Sequence, residues 1–352
     1  MTDPLLLYGA TGYTGRLLLD ELLATGVRPI LGGRNEAKLR ALAEPLGLPW
    51  RTAQLGEPAE VDAALRDVHA VLHAAGPFST TSRPMVDGCL RTGVHYLDVT
   101  GEIPVIEALA KRHAEARRRG IMIVPGVGFD VVPSDCLAAH VAARLPGARR
   151  LVLAITGLEF ATPGSAKTLV EHAFYGVQVR RDGEIVPLPG GVHQRSFDFG
   201  QGARPCLSVL WGDVASAYYT TGIPDIDVYF EATPPVRFLL MASRYFGWAL
   251  ATSPWQTWLK AQADMLPQGP TGTQRAQASD GVVVAEATDG RGGHAAARLR
   301  TPEIYTFTGM AGAAVARRVL RGDVELGFQT PARLFGPDFV LGFRGVSRED
   351  LA

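Results

Sequence analysis

A glycine-rich turn close to the first residue constrains the fold of this chain more than any other feature. Residues 5–8 form an apolar run of strand length, the next glycines are spaced G-x-x-G-x-x-G, and residues 16–24 have the pattern of an amphipathic helix. Such glycines permit a tight turn, and the helix N-terminus offers free N–H groups and a positive dipole end. The pattern is typical of a dinucleotide pyrophosphate site, and the alternative is a purely structural strand–turn–helix corner. The predicted phosphate-binding residues are Gly9, Ala10, Thr11, Gly12, Tyr13, Thr14 and Gly15.

The end of the second predicted strand, residues 27–31, bears on the choice of cofactor. An NAD site usually carries an acidic residue about 20 positions after the glycines, where it holds the ribose 2′-hydroxyl. Here Arg34 takes that place, Asn35 is positioned to cap the next helix, and Lys38 lies one turn further on. A guanidinium matches a 2′-phosphate bidentately. The sequence therefore favours NADP(H) over NAD(H), and the alternative is a solvated arginine at a strand end.

Strand and helix patterns alternate through the first third of the chain. Further strands are predicted at residues 49–55, 70–74, 95–99 and 121–124, with helices at 59–66, 84–92 and 104–119. Six strands with intervening helices predict a doubly wound parallel sheet of the Rossmann type.

Beyond residue 126 the pattern changes to strands without regular helices between them. The predicted strands are 151–156, a hairpin at 178–186 turned by Asp182-Gly183, and then 195–199, 227–232, 272–279, 282–288 and 295–300. This predicts an α+β domain with a largely antiparallel sheet. Residues 305–320 return to helical character, with small residues that favour close packing.

Composition excludes several classes of function. Lysine and arginine together number 35, as do aspartate and glutamate, so the formal net charge is zero and a nucleic-acid partner is not expected. The three cysteines, Cys89, Cys136 and Cys206, form no CxxC pair. They are predicted to be small buried residues of a reducing compartment, and no metal site is predicted. With no signal-peptide pattern before the first strand, the expected location is the cytoplasm.

Three polar segments follow predicted strands whose carboxyl ends meet at the ligand-binding edge of such a sheet. Residues 75–77 either let the backbone approach the cofactor ribose and nicotinamide or form an ordinary turn. The carboxylates of residues 96–102 either contact substrate or cap the following helix, and Ser134 or Asp135 either act in catalysis or cap a helix at 136–144. The candidate nicotinamide-side residues are Ala75, Gly76 and Pro77, and the candidate catalytic residues are Tyr96, Asp98, Asp130 and Ser134.

Five motifs resemble those of the saccharopine-dehydrogenase-like oxidoreductases, most closely the branch containing the mycobacterial trans-acting enoyl reductases. They are Gly9-Ala10-Thr11-Gly12-Tyr13-Thr14-Gly15, Gly33-Arg34-Asn35, Ala75-Gly76-Pro77-Phe78, Tyr96-x-Asp98-x-x-Gly101-Glu102 and Gly128-Phe129-Asp130-x-x-Pro133-Ser134-Asp135. The resemblance covers about the first 136 residues and recurs at 327–332. It implies a Rossmann NADP-binding domain of residues 1–126 and 303–352. It also implies a substrate and dimerisation domain of residues 127–302. The amino-acid-binding residues of true saccharopine dehydrogenases have no counterpart that we can identify in this chain.

An aromatic segment at residues 234–258 bears on the substrate. Phe238, Met241, Tyr245 and Trp248 recur at helical spacing, and Arg244 interrupts an apolar stretch too short for a transmembrane span of about 20 residues. The segment is predicted to be a core helix, a dimer surface, or a lid over an acyl chain or a membrane interface.

These observations predict an NADP(H)-dependent reductase acting on a C=C or C=N bond of a small-molecule or acyl substrate. A homodimer without a transmembrane segment is expected, with peripheral membrane contact as an open alternative. The competing hypothesis is a catalytically silent NADP-binding scaffold or redox sensor that recruits a partner.

Overall fold

The computed structural model of this chain describes residues 4–159, 162–164, 166, 177–188, 193–250, 252–265, 267 and 269–351. The chain divides into two units, each built from two stretches of sequence. The first unit comprises Met1–Asp130 and Tyr305–Leu334, and the second comprises Val131–Ile304 and Phe335–Ala352.

The first unit alternates strands and helices along the chain. Its strands are β1 (Leu5–Tyr8), β2 (Ile30–Gly33), β3 (Trp50–Thr52), β4 (Ala70–His73), β5 (His95–Asp98), β6 (Met122–Val124) and, from the later stretch, β15 (Gly327–Phe328). Its helices are α1 (Tyr13–Ala24), α2 (Glu36–Ala43), α3 (Pro58–Leu65), α4 (Phe78–Thr92), α5 (Ile103–Ala110), α6 (His113–Arg118), α12 (Ile304–Val319) and α13 (Pro331–Phe335), with a short 3-10 helix at Glu44–Leu46.

The strands form a seven-stranded sheet in the order β15-β6-β5-β4-β1-β2-β3. Neighbouring strands are parallel, and β1 lies between β2 and β4, with Leu6 opposite both Ile30 and Val71. The strand order reverses at β1 and β4, which is the switch point where ligands of doubly wound sheets bind. The predicted Rossmann-type architecture is confirmed.

Two helices of the first unit differ from their predicted extents. α4 begins at Phe78, whereas the sequence predicted a start at residue 84, and Pro84 lies inside the helix. The predicted helix at 104–119 is two helices, α5 and α6. Arg112, at the junction, pairs with Asp87 of α4 and with Glu115 of α6, so side-chain contacts fix the break.

Two glycines let α12 approach α1 closely. A β-carbon added at Gly309 would lie 3.3 Å from the carbonyl oxygen of Leu17, and one at Gly312 would lie 2.4 Å from Cδ2 of Leu18. Larger residues at these two positions would push the helices apart. α12 therefore covers the outer side of the helix that follows the glycine-rich turn.

The second unit contains most of the remaining strands. They are β7 (Arg150–Thr156), β8 (Val177–Arg181), β9 (Glu184–Leu188), β10 (Gln194–Asp198), β11 (Ala203–Ser208), β12 (Asp225–Glu231), β13 (Gly281–Thr288), β14 (His294–Thr301) and β16 (Ser347–Leu351). Its helices are α7 (Val132–Arg144), α8 (Asp213–Thr221), α9 (Pro234–Leu250), α10 (Ser253–Asp264) and α11 (Gly272–Gln277), with a 3-10 helix at Phe339–Gly342.

The second sheet runs β10-β11-β12-β7-β13-β14-β16, and the hairpin of β8 and β9 joins it through β12. The strands pair antiparallel except for β12 and β7, which are parallel. The prediction of a largely antiparallel second sheet is confirmed. The three cysteines are free and buried, as predicted.

Residues 272–279 were predicted as a strand, and this is wrong, because residues 272–277 form α11. Thr271 caps this helix: its Oγ1 accepts from the backbone N–H of Gln274 at 3.2 Å, and the Gln274 side chain accepts from the Thr271 N–H at 2.8 Å. This reciprocal capping box fixes a helix start irrespective of the apolar pattern. α8 and β11 were also not predicted.

The two units have boundaries that differ from the predicted domain boundaries, which place residues 303–352 with the nucleotide domain. The chain from Phe335 onward belongs to the second unit, and residues 127–130 belong to the first. Residues from Phe335 onward join the second unit because β16 pairs with β14. This pairing places Glu349 2.6 Å from the Arg298 guanidinium.

Candidate functional site

The glycine-rich turn connects β1 to α1 at the switch point of the first sheet. Gly9 has φ +90°, and a β-carbon there would lie 2.8 Å from the Ala74 carbonyl carbon. A β-carbon at Gly15 would lie 2.2 Å from the Gly9 carbonyl oxygen. Side chains at these two positions cannot be accommodated without moving the backbone, so the turn depends on both glycines.

The N-terminus of α1 is open. Gly12 is its N-cap, is exposed, and provides no capping side chain, and the first turn contains no acidic residue. The first N–H groups of a helix have no acceptors within the helix. A β-carbon at Gly12 would contact only the Gly9 carbonyl oxygen, at 3.3 Å. This helix end can therefore receive an anionic group, as a phosphate-binding turn requires.

Two cations follow β2. Arg34 and Lys38 are exposed, and within the part of the chain that the structure describes neither forms an ion pair. Asn35 caps α2 as predicted, since its Oδ1 accepts from the Lys38 backbone N–H at 3.0 Å. The capped helix fixes the backbone from which both cations extend.

Residues 75–77 lie between β4 and α4, at the same edge of the sheet. Gly76 is exposed, Ala75 and Pro77 are half-buried, and the Gly76–Pro77 peptide is cis. The Ala75 carbonyl accepts from Thr81 Oγ1 at 2.6 Å. The segment thus forms a defined turn, beside the switch point, with backbone open to solvent.

Glu102 has a role that the sequence did not predict. Its two carboxylate oxygens accept from the backbone N–H groups of Phe78 and Ser79, each at 2.8 Å. It therefore caps the preceding helix α4, whereas the sequence left open a contact with substrate or a cap on the following helix. This buried carboxylate already occupies the α4 N-terminus, so that helix end is not open to a further anion, whereas the α1 N-terminus has no side-chain cap.

Tyr96 and Asp98 lie side by side in the interior at the end of β5. Tyr96 donates to Asp98 Oδ2 at 2.8 Å, and Asp98 Oδ1 accepts from the backbone N–H groups of Thr100 at 2.9 Å and Gly126 at 3.0 Å. Burial raises the pKa of Asp98 to about 6 and that of Tyr96 well above its usual range. These bonds join the end of β5 to the loop after β6, so both residues hold the edge of the sheet in place.

His73, at the end of β4, was not singled out by the sequence. It is buried, and burial lowers its pKa to about 3, so the imidazole is neutral near pH 7. Its Nδ1 lies 3.3 Å from the Tyr96 hydroxyl. Its position as the last residue of a buried strand ending at the ligand edge was the signal that could have identified it.

Asp130 differs from the other candidate carboxylates. It is half-buried, and no described residue forms a hydrogen bond or ion pair with its side chain. Burial, together with the nearby charge of Glu102, raises the pKa of Asp130 to about 7. The preceding residue is held by α12, because the Phe129 N–H donates to Thr308 Oγ1 at 3.1 Å. Such a carboxyl can both hold and release a proton near neutral pH.

Ser134 lies in the second unit and is fully buried. Its Oγ lies 2.7 Å from Asp213 Oδ1 of α8, and Asp135 bonds to Thr220 of the same helix. The expectation that Ser134 or Asp135 caps a helix starting at residue 136 is wrong. α7 starts at Val132 with no side-chain cap, so both residues lie in its first turn and connect it to α8.

The second unit contains a cavity of about 430 Å³ at one end of its sheet. Its polar groups include Arg204, whose guanidinium lies 3.3 Å from Glu231, and Arg300, which lies 3.7 Å from Asp280. Phe199, Phe230, Val236 and Val282 are among its apolar lining residues, and Glu159 and Gln201 are further polar ones. The cavity therefore combines apolar and charged groups in similar measure, which suits a ligand with both apolar and polar parts.

Gln329, immediately after β15, is a second residue that sequence reasoning did not single out. Its side chain is fully buried, and neither its amide nitrogen nor its amide oxygen has a hydrogen-bond partner among the described residues. A buried unpaired amide is costly. Its place within the motif at 327–332 was the available signal.

The described ranges contain no group of three or more histidine, cysteine, aspartate or glutamate side chains arranged to hold a metal ion. Within the same ranges, no helix has the length and hydropathy needed to cross a membrane.

Comparison with known proteins assigns the first unit a ligand class. Residues 9–123 match the protein family described as NAD(P)H-binding. The trans-acting enoyl reductase of Mycobacterium leprae is 34% identical over 139 residues, which are 37% of this chain and 33% of that protein. The trans-acting enoyl reductase of Mycobacterium tuberculosis is 32% identical over 139 residues, with the same coverage. The chain spans about a third of the length of these curated relatives.

Among solved structures, apo saccharopine dehydrogenase (L-Glu forming) from Saccharomyces cerevisiae matches with a TM-score of 0.65. The match covers 99% of this chain and 100% of that chain at 12% identity, so it shows a shared fold. The resemblance predicted from the sequence is confirmed: the fold is shared with saccharopine dehydrogenase, and a stretch of 139 residues is similar to the trans-acting enoyl reductases.

Proposed function

We propose that this chain is an NADP(H)-dependent oxidoreductase of the saccharopine dehydrogenase-like type, which reduces a C=C or C=N bond of a small-molecule or acyl substrate. The observation that carries the proposal is the turn at Gly9 to Gly15. Its glycines leave the backbone accessible to a ligand, and no side chain caps the N-terminus of α1. The match of residues 9–123 to NAD(P)H-binding proteins supports it. The names of the enoyl reductase relatives favour a C=C bond.

The cofactor-binding residues follow from their places around the turn. The backbone of Gly9, Ala10, Thr11, Gly12, Tyr13, Thr14 and Gly15 would hold the pyrophosphate. Arg34 would pair with the ribose 2′-phosphate, supported by Lys38 and by the helix that Asn35 caps. Ala75, Gly76 and Pro77 would lie along the ribose and nicotinamide. When bound, the nicotinamide supplies the hydride chemistry.

Of the four candidate catalytic residues, Asp130 is the one we assign to proton exchange. Its carboxyl is half-buried with a pKa of about 7, whereas Tyr96 and Asp98 are bonded to each other in the interior. In this assignment, Tyr96 and Asp98 position the edge of the sheet and Ser134 holds α7 against α8. A reduction requires one proton for each hydride, and a carboxyl that is half-protonated near pH 7 can supply it.

Cofactor preference tests the assignment of Arg34. NADPH should bind the full chain more tightly than NADH by about 1.5–3 kcal/mol, roughly ten- to a hundred-fold, because a charge-assisted pair forms only with the 2′-phosphate. Arg34→Ala should remove most of this preference and leave NADH affinity nearly unchanged. Arg119→Ala, at another exposed arginine of the same unit, is the matched control. Equal affinity of the unmutated chain for both cofactors would contradict the proposed NADP specificity.

Turnover tests the reaction itself. NADPH absorbance should fall when the chain is mixed with an α,β-unsaturated acyl thioester or with an imine. Tight NADPH binding without consumption across both substrate classes would favour the scaffold or redox-sensor hypothesis instead.

A further inference from the structure

Helices α9 and α10 expose an unusual amount of aromatic surface. Six aromatic side chains, which we call the aromatic surface, are each about half or more exposed, with Trp248 at 81% and Phe238 at 76%. The aromatic surface consists of Phe238, Tyr245, Phe246, Trp248, Trp255 and Trp258. The sequence allowed a core helix here, and these side chains are not in the core. Exposed apolar surface on this scale indicates a binding surface.

The charge around the aromatic surface has one sign. No aspartate or glutamate occurs from Ala232 to Ala263, whereas Arg237, Arg244 and Lys260 do. Arg237 and Arg244 are exposed, and neither forms an ion pair with a described residue. Apolar side chains next to cations without an ion-pair partner complement a lipid surface, which has anionic headgroups over an apolar acyl layer.

A second copy of this chain is a poorer partner for the same surface. In a two-fold symmetric contact a surface meets its own copy, so the positive charge of Arg237 and Arg244 would meet a surface of the same sign. The segment offers no carboxylate to pair with them across such a contact. Anionic lipid headgroups supply that negative charge.

The dimensions favour a helix that lies on a membrane rather than across it. α9 has 17 residues, which corresponds to about 25 Å, shorter than a span of about 20 residues. Tryptophan and tyrosine favour the boundary between headgroups and acyl chains, because each combines a large apolar ring with a polar atom. Both residue types occur on the aromatic surface.

We propose that α9 and α10 dock this protein on an anionic lipid surface, with the aromatic surface in the headgroup–acyl boundary and Arg237 and Arg244 at the headgroups. Val236, in the first turn of α9, lines the cavity of the second unit. Docking by α9 would bring that cavity near the lipid surface, where an acyl substrate would be concentrated. The lipid contact itself does not depend on the proposed reductase activity.

Vesicle sedimentation with the full chain tests the proposal. The chain should pellet with vesicles of mixed phosphatidylglycerol and phosphatidylcholine, stay in solution without vesicles, and pellet much less with phosphatidylcholine alone. The double variant Phe238→Ser with Trp248→Ser should weaken binding at least tenfold. Arg244→Glu should weaken binding to the anionic vesicles selectively. Leu46→Ser, at a partly exposed apolar residue of the first unit, should change neither.

Tryptophan fluorescence gives a second readout that does not depend on pelleting. Three of the five tryptophans belong to the aromatic surface, so anionic vesicles should shift the emission to shorter wavelength, and Trp248→Ser should reduce the shift. Equal binding to neutral and anionic vesicles would overturn the assignment to anionic lipid. Absence of vesicle binding, together with a dimer that Trp248→Ser dissociates, would show that a second copy covers the surface.

Discussion

Gly12 and Gly15 belong to the same turn but differ in their surroundings. Gly12 is exposed and a β-carbon there would lie 3.3 Å from the Gly9 carbonyl oxygen, a tight contact, whereas one at Gly15 would overlap that oxygen at 2.2 Å. Gly12→Val should therefore abolish NADPH binding while lowering the stability of the ligand-free chain by at most about 1 kcal/mol. Gly15→Ala should cost about 3 kcal/mol or more. Calorimetric binding and thermal melting of both variants measure these effects, and normal NADPH affinity in Gly12→Val would place the phosphate elsewhere.

The carboxyl of Asp130 should make stability depend on pH. Its pKa is raised to about 7 in the folded chain, so the folded state holds this proton more tightly than the unfolded state. The contribution of Asp130 is then fully present below about pH 4 and is lost as the pH rises through 7, with an upper limit of about 4 kcal/mol. The raised pKa of Asp98, about 6, likewise makes the free energy of unfolding fall as the pH rises.

Asp130→Asn should consequently raise the free energy of unfolding at pH 8 and have a much smaller effect at pH 5. Asp20→Asn, at an exposed aspartate of α1, should show no such difference between the two pH values. Denaturant titrations at both pH values provide the measurement. An equal gain from Asp130→Asn at pH 5 and pH 8 would mean that this carboxyl is ionised in the folded chain throughout the range.

At the scale of elements, the parts of the fold that depend on local sequence were predictable. The strand, turn and helix around Gly9 were recognisable because glycine spacing and apolar periodicity are local signals. The cap of α4 was not, since it comes from Glu102, 24 residues after Phe78. For the same reason the pairing of Ser134 with Asp213, 79 residues apart, could not be read from the sequence.

The error at α11 has a different origin. The apolar pattern predicts a strand there, although Thr271 and Gln274 have the spacing of a capping box, which is a local signal for the start of a helix. The exposed aromatic surface shows what the helical spacing of apolar residues cannot predict. Helical spacing predicts that one face is apolar, but only the tertiary structure shows whether that face is covered.

At the scale of the whole molecule, the last 48 residues serve both units. α12 packs on α1 and β15 extends the first sheet beside β6, whereas β16 extends the second sheet beside β14. Each unit is thus completed by a stretch distant in sequence from the rest of that unit. The role of β16 was not predictable, because this strand is short, mostly exposed and has no alternation of apolar and polar residues.

Two truncations separate these contributions. A chain ending at Arg300 loses α12 and β15, which uncovers Leu18 and the edge of β6, so it should be poorly soluble despite keeping every glycine of the turn. A chain ending at Gly345 keeps α12 and β15 and loses β16 with its ion pairs, which join Glu349 to Arg298, Asp350 to His140 and Arg144, and Arg348 to Asp338. It should remain soluble and bind NADPH at nearly full strength, but its second unit should melt at a lower temperature.

Expression, solubility and NADPH titration of the two chains provide the comparison. If the shorter chain were soluble and bound NADPH as tightly as the full chain, α12 and β15 would be peripheral to the nucleotide-binding unit.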